Sequence, residues 1–395
     1  MDHGPGRRPG RGDAFDVVIV GAGLSGLSLA GHLTAGRRRD LTVLLIDHDR
    51  DEAPAGWAYW QRGPGPLDEA VCRAYPRVLV HATGRGLVVP LGGYTYRAVR
   101  RADLRRVVAG RLAGRPASGL CRGHVSEIRE EGDAATVVVD GVGIGARWVF
   151  DSRPGPTGGR PPEAFLAFRG WRVRCARPVF DPDLPTLMDF RTSQAGGVRF
   201  GYVLPQTPHL ALIEMTAFAW PGERRGPEPP PDPALHAYLT EVLNVGGYEI
   251  RRTETGTLGL RLSAGGPMAG AGRIVPIGAR AGLVKASTGY AYGRIQRDSA
   301  RIAHSLATSG HPWPRPASRR RHRLGDALLL DALHADGAAM ERVFARLFAG
   351  NPAERVLAFL DEDTRLFDEL RLIATLPPAP FLRAIVRRSR SRLAG

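Results

Sequence analysis

A glycine motif near the start of the chain constrains the fold more than any other stretch. A short β-branched run, Val17 to Val20, is followed by Gly21, Gly23 and Gly26, and Asp47 lies twenty-one residues beyond the last glycine. Such an apolar run is typical of a buried parallel strand. A strand, glycines, a helix, a second strand and a terminal acid in this order predict a dinucleotide-binding unit. The unit alone does not distinguish FAD from NAD.

The parts of this unit have separate roles in holding a dinucleotide. In order, the three glycines allow a tight turn, close approach of the backbone to a pyrophosphate, and close packing of the next helix on the strand. That helix, predicted at about Leu24 to Ala35, directs its N-terminus at the phosphates. Asp47 follows a predicted strand, Leu41 to Ile46, and is placed to accept hydrogen bonds from a ribose. The alternative is a glycine-rich loop in an α/β domain without a dinucleotide.

Composition excludes several classes of protein. The 395 residues are 43% hydrophobic, which predicts two or three domains with substantial cores. The cysteines are odd in number and widely spaced (Cys72, Cys121 and Cys175), which predicts neither disulfides nor a metal site and fits a reducing cytosol. No apolar run is long enough to span a membrane. Residues 1–13 are polar and are expected to form a disordered tail.

The basic charge leaves the partner open. The net charge is +16, but Lys285 is the only lysine and the arginines are scattered, apart from clusters at residues 319–323 and 387–392. This dispersal argues against a nucleic-acid-binding protein. The clusters suit an anionic membrane surface at least as well as DNA. A solvated basic face without a partner is an equal alternative.

The order of predicted elements indicates an α/β chain with a discontinuous first domain. Residues 14–155 and 270–310 are assigned to the dinucleotide domain, 160–268 to a sheet-based substrate domain, and 315–395 to a helical region. Within the first domain the patterns predict a helix at Arg101–Ala113 and strands at Val78–Pro90, Ala135–Val139 and Arg147–Phe150. A Pro/Gly-rich linker, Pro154–Pro162, ends its first part.

The second domain is predicted to be mostly strand. Apolar and β-branched stretches predict strands at Trp171–Cys175, Thr186–Thr192, Val198–Leu204 and Leu210–Phe218. Further on, a strand at Ile274–Gly278 and a helix at Tyr292–Ala307 flank a glycine-bearing loop, and we expect them to complete the dinucleotide domain. From Leu324 onwards, apolar residues recur at the spacing of two or three amphipathic helices.

Several stretches, in their order along the chain, resemble the FAD-dependent lycopene cyclases of bacteria and plants. The matching stretches are Phe180–Arg191, Phe200–Thr216, Gly282–Tyr290, Phe359–Thr364 and Leu370–Arg383. The resemblance implies a Rossmann-type fold like that of p-hydroxybenzoate-hydroxylase-type flavoproteins, with Gly278 and Gly289 near the cofactor. It also implies reduced FAD, NAD(P)H as electron donor, and an isomerase that cyclises the ends of an acyclic carotenoid.

Three departures from the family pattern are visible. Glu214 is followed by Met215, where the family commonly has a second carboxylate. Gly56 precedes Trp57 in place of His-Thr, and Ala286 stands where the family has proline. The first departure bears on the substrate, because related cyclases of this fold act on other polyprenyl chains.

Cyclisation of a polyene requires a strong acid, and Glu214 is the candidate. The acid protonates a terminal double bond, an internal double bond attacks the resulting cation, and loss of a proton sets the ring double bond. The acid stays protonated only if an apolar pocket raises its pKa. Glu214 is the one carboxylate in the apolar run Leu210–Phe218, and with Met215 beside it burial is the expected cause. A solvent-facing or arginine-paired glutamate is an equal alternative from the residues alone.

The carbocation also needs negative charge or aromatic faces beside it. A reduced anionic flavin would supply charge, and the candidate aromatic residues are Trp57, Tyr59, Trp60, Tyr202 and Tyr290. The stretch Trp57–Trp60 is predicted to be a loop, and a local hydrophobic cluster is its simpler interpretation. Asp189 is assigned beside the cation or to a structural role, and Asp361–Asp363 to a helix, where they form a solvated acidic face in the simpler reading.

The functional hypothesis is a lycopene β-cyclase that takes an insoluble carotenoid from a bilayer. We expect it to lie on the cytoplasmic face of the cell membrane through its basic C-terminal end, without crossing it and without binding nucleic acid. The alternatives are a flavin-dependent cyclase of another polyprenyl chain and a FAD-dependent monooxygenase or reductase. The oligomeric state stays open.

Overall fold

The structure is a computed structural model that describes residues 10, 12–36, 38–48, 56–153, 161–194, 197–222, 227–262, 272–312, 315 and 318–393. Most of the predicted tail 1–13 and of the linker 154–162 lies outside these residues. The described chain forms three sheets and, near its C-terminal end, a group of helices that packs on the second sheet.

The first sheet contains the predicted dinucleotide unit. Its strands are β1 (Ala14–Val20), β2 (Val43–Asp47), β8 (Gly119–Arg122), β9 (Val125–Glu131), β10 (Ala134–Val139), β11 (Val142–Asp151) and β17 (Ile274–Pro276). β1 pairs in parallel with both β2 and β11, and α1 (Leu24–Ala35) connects β1 to β2 with the predicted bounds. α2 (Arg101–Ala113) also has its predicted bounds. β1 and β2 are almost wholly buried, which explains their continuous apolar sequence.

The late segment joins this sheet. β17 pairs in parallel with the end of β11, and α4 (Tyr292–Ser309) then packs beside α1. Gln296 of α4 contacts two side chains of α1, donating to Ser28 over 2.7 Å and lying 2.9 Å from His32. Residues 268 positions apart, Ser28 and Gln296, therefore belong to one layer of the fold.

The second sheet is antiparallel except at one pairing, in the order β16-β12-β15-β14-β13-β5-β6. Its strands are β5 (Arg77–Ala82), β6 (Arg85–Pro90), β12 (Ala164–Cys175), β13 (Thr186–Asp189), β14 (Arg199–Thr207), β15 (Leu210–Ala219) and β16 (Tyr248–Leu260). α3 (Asp232–Ala237) and a following π-helical turn cover one face.

Two predictions fail in this sheet. The single strand expected over Val78–Pro90 is a hairpin, because Thr83 and Gly84 both take positive φ and reverse the chain. The hairpin also pairs with β13, so residues 77–90 belong to the second sheet and not to the dinucleotide domain. β16 was not predicted as a strand, because it is an edge strand whose outward positions carry polar and charged residues.

The third sheet corrects the prediction of an aromatic loop. It consists of β3 (Gly56–Arg62), β7 (Tyr94–Arg100) and β4 (Val71–Tyr75), with β7 in the centre. Trp57 and Trp60 thus lie in a paired strand. Gly56 lies where a Cβ atom would be 2.1 Å from the carbonyl oxygen of Val99, so this pairing requires glycine.

The described residues 318–393 contain five helices: α5 (Arg320–Ala335), α6 (Gly337–Ala349), α7 (Ala353–Leu360), α8 (Leu366–Ile373) and α9 (Pro378–Leu393). The first three cover the stretch up to Leu360 whose apolar spacing predicts two or three helices, and the last two were not predicted. They share one core with the second sheet, and Phe344 of α6 stacks on Phe190 with ring centroids 5.4 Å apart. This region therefore forms one hydrophobic core with the second sheet. Across the described residues, the helices lack the length and apolar composition that a bilayer span requires.

Candidate active site

A cavity of about 570 Å³ lies between the dinucleotide unit and the second sheet. Its walls come from the start of α1, from β3, β4 and β7, from one face of β12, β14, β15 and β16, and from the loop before α4. Eight of the predicted site residues line it: Gly23, Trp57, Tyr59, Trp60, Tyr202, Glu214, Gly289 and Tyr290. The other five, Gly21, Gly26, Asp47, Asp189 and Gly278, lie outside its lining.

The two-residue period of β15 decides which side chains reach the cavity. Leu212, Glu214 and Thr216 face it, whereas Ile213 and Met215 point to the opposite face and are fully buried under α3. A carboxylate at position 215 would therefore point away from the cavity. The departure at Met215 leaves the acidic group of the cavity unchanged.

Glu214 has the electrostatic environment of a protonated acid. Burial is the largest influence and, together with the nearby Glu254 carboxylate, raises the pKa of Glu214 to about 8. A hydrogen bond from the Thr216 hydroxyl over 3.1 Å acts in the opposite direction. Among the described residues no arginine forms an ion pair with Glu214, so the alternative of a paired or solvent-facing glutamate is wrong.

The structure also corrects the expected cause of this shift, because a second carboxylate is present. Gly170 of β12 pairs with Glu214 on one side and with Glu254 of β16 on the other. Both glutamates line the cavity. The rise in pKa expected from burial alone is thus supplemented by repulsion from the like charge of Glu254. Sequence reasoning missed Glu254 because nothing local shows which residue of an edge strand lies opposite Gly170.

Aromatic side chains surround the space in front of Glu214. The hydroxyl groups of Tyr202 and Tyr290 are 3.3 Å apart, and Trp60 meets Tyr290 edge-on with ring centroids 4.3 Å apart. Burial raises the pKa of Tyr290 to about 12, so its hydroxyl stays neutral. Tyr59 stacks on Tyr292 with ring centroids 3.4 Å apart. These faces supply the π density that a carbocation needs.

Asp361 is, besides Glu254, a second residue of the cavity that the sequence did not predict. It lines the cavity, and the indole nitrogen of Trp60 donates to its carboxylate over 3.0 Å. Burial raises the pKa of Asp361 to about 6. Its neighbour Glu362 pairs with Lys285 over 3.0 Å. The interpretation of Asp361–Asp363 as a solvated acidic face is therefore wrong for Asp361.

Asp189 has a structural role. It has 0% exposed surface, forms an ion pair with Arg191 over 2.7 Å, and accepts a hydrogen bond from the hydroxyl of Tyr238 over 2.9 Å. The assignment of Asp189 beside a cation in the cavity is wrong, because these two groups hold its carboxylate within the protein interior.

The opposite end of the cavity fits a dinucleotide. Gly23 and the first residues of α1 line it, and no side chain caps the N-terminus of this helix. A Cβ atom at Gly23 would have no neighbour within 4 Å, whereas one at Gly26 would be 1.9 Å from the carbonyl oxygen of Gly21. Gly23 thus borders open space, and Gly26 allows the helix to pack on the turn. An anionic phosphate is the ligand that such a helix terminus favours.

The remaining predicted cofactor residues surround this helix terminus. Gly278 has positive φ, and a Cβ atom there would be 2.3 Å from the hydroxyl of Ser25, so it brings its loop against α1. Asp47 lies at the end of β2, where Arg101 and Arg105 contact one carboxylate oxygen at 2.9 and 2.8 Å. The other oxygen accepts from the backbone of Ala22 over 3.2 Å. Binding of a ribose by Asp47 stays a prediction.

Comparison with known proteins now identifies the family. A family profile described as "Lycopene cyclase protein" matches residues 16–386. The chain belongs to the lycopene cyclase family. A lycopene beta-cyclase of Paracoccus sp. (strain N81106 / MBIC 01143) is 28% identical over 390 aligned residues, covering 94% of this chain and 96% of that protein. A lycopene beta-cyclase of Pantoea ananas is 27% identical and covers 94% and 97%.

The fold of this lycopene cyclase family member is that of FAD-dependent flavoproteins. An HpxO variant of Klebsiella pneumoniae, solved in complex with FAD, matches it with a TM-score of 0.59 at 14% identity, covering 92% of this chain and 99% of that one. The predicted flavoprotein fold and family are therefore confirmed. At this identity the likeness concerns the fold alone.

Proposed function

We propose that this chain is a lycopene β-cyclase, an isomerase that closes β-ionone rings at the ends of lycopene without net oxidation or reduction. The observation that carries the proposal is Glu214, a carboxyl group kept protonated at neutral pH in an aromatic cavity that also reaches the dinucleotide unit. The two curated relatives carry the same name.

The residues of the cavity perform the proposed steps in order. The Glu214 hydroxyl donates its proton to the terminal double bond of the polyene, which leaves a tertiary cation. Tyr202, Tyr290 and Trp60 present aromatic faces to that cation and exclude water, which would otherwise add to it. The internal double bond then closes the ring, and loss of a proton to a carboxylate restores neutrality.

The dinucleotide end is proposed to hold FAD, reduced with NAD(P)H as the electron donor. Gly21 to Gly26 would hold the pyrophosphate at the N-terminus of α1, with Gly278, Gly289 and Asp47 around it. When bound, reduced FAD supplies negative charge beside the cation and returns unchanged. The chain itself supplies the proton and the shape of the cavity.

Expression in cells that accumulate lycopene tests this function. We expect β-ring carotenoids by pigment chromatography, with the mass of lycopene. A product of higher mass would instead favour the monooxygenase or reductase alternative. Unchanged lycopene, together with cyclisation of another polyprenyl chain by the purified protein, would favour the alternative of a cyclase that acts on another polyprenyl chain.

The proposal predicts the pH dependence of the wild-type enzyme. The acid form of Glu214 is the active one, and its raised pKa keeps that form populated at neutral pH. The rate should therefore fall as pH rises through about 8. Measuring kcat against pH with lycopene in vesicles checks this. Thr216→Val removes a hydrogen bond that lowers the pKa of Glu214, so the rate of this variant should fall at a higher pH than that of the wild type. A wild-type rate that already falls near the pKa of an ordinary glutamate would contradict the assignment of Glu214 as the acid.

We also propose that the protein associates peripherally with the cytoplasmic face of the cell membrane. Helices α8 and α9 expose apolar faces, formed by Leu366, Phe367, Leu370 and Ile373 on α8 and by Leu382, Ile385 and Val386 on α9. Phe367 is 63% exposed. Arginines accompany these faces, and Arg371 lies over the Phe367 ring at 4.2 Å. An apolar surface with basic residues beside it suits an anionic bilayer.

Replacing Phe367 and Leu370 together by aspartate should reduce binding to phosphatidylglycerol vesicles by at least about tenfold, because apolar area is lost and the new charges are repelled. Vesicle flotation measures the bound fraction. Val88→Asp, at an exposed apolar position on the β5–β6 hairpin, is the control and should bind like the wild type. Equal binding by the double variant would contradict the assignment of this surface.

A further inference from the structure

Four residues form one row across the second sheet, on the face that lines the cavity. Tyr202 of β14 pairs with Glu214 of β15, Glu214 pairs with Gly170 of β12, and Gly170 pairs with Glu254 of β16. Neighbouring strands are about 4.8 Å apart, so the two glutamates start about 10 Å apart at their Cα atoms. Both side chains face the same cavity.

Gly170 lets the two carboxyl groups approach each other. A Cβ atom at this position would be 3.0 Å from Cγ and 3.2 Å from Oε1 of Glu254, so the Glu254 side chain extends across Gly170 towards β15. The charge of Glu254 accordingly raises the pKa of Glu214 further. The space over Gly170 therefore contains two carboxyl groups, of which one is the proposed acid.

We propose that Glu254 is the base that removes the ring proton at the end of cyclisation, and that it thereby selects the position of the ring double bond. The inference rests on the proposed cyclase function. It concerns a step that Glu214 performs poorly by itself, because the proton is delivered to one carbon of the polyene and removed from another.

The proposed step balances without an added oxidant or reductant. The O–H bond of Glu214 breaks and a C–H bond forms at the terminal double bond. The electron pair of an internal double bond forms the ring bond and leaves a cation in the ring. A C–H bond beside this cation breaks, its electrons form the ring double bond, and the proton moves to the Glu254 carboxylate. Exchange with solvent, which removes the proton from Glu254 and returns one to Glu214, restores the starting state.

Other charged and titratable groups face these two carboxyl groups. Arg172 of β12 and Arg252 of β16 line the cavity at its β12–β16 end, and Arg172 donates to the side-chain oxygen of Gln206 over 2.5 Å. Tyr96, Tyr202 and Tyr290 lie on the other side, with pKa values raised mainly by burial. These tyrosines stay neutral, which leaves Glu254 as the group of this row suited to accept a proton.

Purified, FAD-loaded Glu254→Gln, Glu254→Asp and Glu249→Gln test the inference against the wild type. Glu249 lies on the same strand in an exposed ion pair with Arg251, so Glu249→Gln is the matched control. Each protein is assayed for FAD content, for the rate of ring formation, and for the double-bond position of the rings by chromatography.

Glu254→Gln should keep its FAD, lose about a hundredfold or more in rate, and give residual rings with a changed double-bond position. The pH at which the rate of this variant falls should be lower than in the wild type, because the negative charge of Glu254 no longer raises the pKa of Glu214. Glu254→Asp should recover part of the rate, whereas a fold defect would not be rescued this way. A Glu254→Gln protein with wild-type rate and ring type would overturn the inference alone, whereas a wild type that forms no rings would overturn the proposed function.

Discussion

Glu214→Gln is expected to abolish ring formation. The amide preserves the shape of the side chain and a hydrogen bond with Thr216, but it cannot donate a proton to an alkene. General acids contribute about 10²–10⁴-fold in rate, and a polyene has no easier route to protonation, so the loss should reach the upper end. Lycopene conversion by the purified variant, with FAD content and thermal unfolding measured in parallel, checks this.

The control for this variant is Glu241→Gln, the same substitution at an exposed position of the turn that follows α3. It should convert lycopene at the wild-type rate. If Glu214→Gln retains more than about a tenth of that rate, the proton comes from another group. Asp361 is then the next acid to test, because it lines the cavity with a raised pKa, whereas Asp189 does not reach the cavity.

Gly23→Val should remove FAD while leaving the protein folded. A Cβ atom at this position would have no neighbour within 4 Å, and the valine side chain would extend into the space in front of α1 that the pyrophosphate would occupy. Overpacking of this kind costs about 1–3 kcal/mol, which corresponds to about a tenfold to hundredfold loss of affinity. Flavin absorbance per protein and FAD titration of the apoprotein measure the effect.

Two other glycines make this prediction specific. Gly26→Val should destabilise the fold itself, because its Cβ atom would be 1.9 Å from the backbone oxygen of Gly21. Gly110→Ala, on the exposed side of α2, should leave FAD content unchanged and should not lower the melting temperature, because alanine is a better helix former than glycine. Full FAD occupancy in Gly23→Val would show that the pyrophosphate site has been misplaced.

Local sequence signals were sufficient for the dinucleotide unit. The glycines, the buried strands β1 and β2 and the bounds of α1 and α2 follow from patterns within a few residues, and the structure has them as predicted. Glu214 is one carboxylate in an apolar strand, but the residues alone left a solvent-facing or arginine-paired glutamate as an equal alternative, and the resemblance to the family favoured the acid. Its raised pKa then followed from burial, which the surrounding sequence already indicated.

The failed predictions depend on contacts between distant residues. The hairpin at residues 77–90 resembles a strand of the first domain, and only its pairing with β13 assigns it to the second sheet. Asp189 resembles a site residue in the sequence, and only the hydrogen bond that it accepts from Tyr238, 49 positions away, shows its structural role. Glu254 and Asp361 reach the cavity through sheet register and the packing of α7, and neither can be derived from spacing along the chain.

The most direct test of the account is the mass of the product formed under anaerobic conditions by the wild-type protein with reduced FAD. In ordinary water the account predicts cyclic carotenoid with the mass of lycopene and no NAD(P)H oxidised per ring. In deuterium oxide it predicts one deuterium in each ring. Glu214, whose proton has exchanged with solvent, donates one deuteron to the polyene, and the ring then loses one hydrogen at another carbon. A product that gains two hydrogens or an oxygen, or one NAD(P)H oxidised per ring, would contradict an acid-catalysed isomerisation.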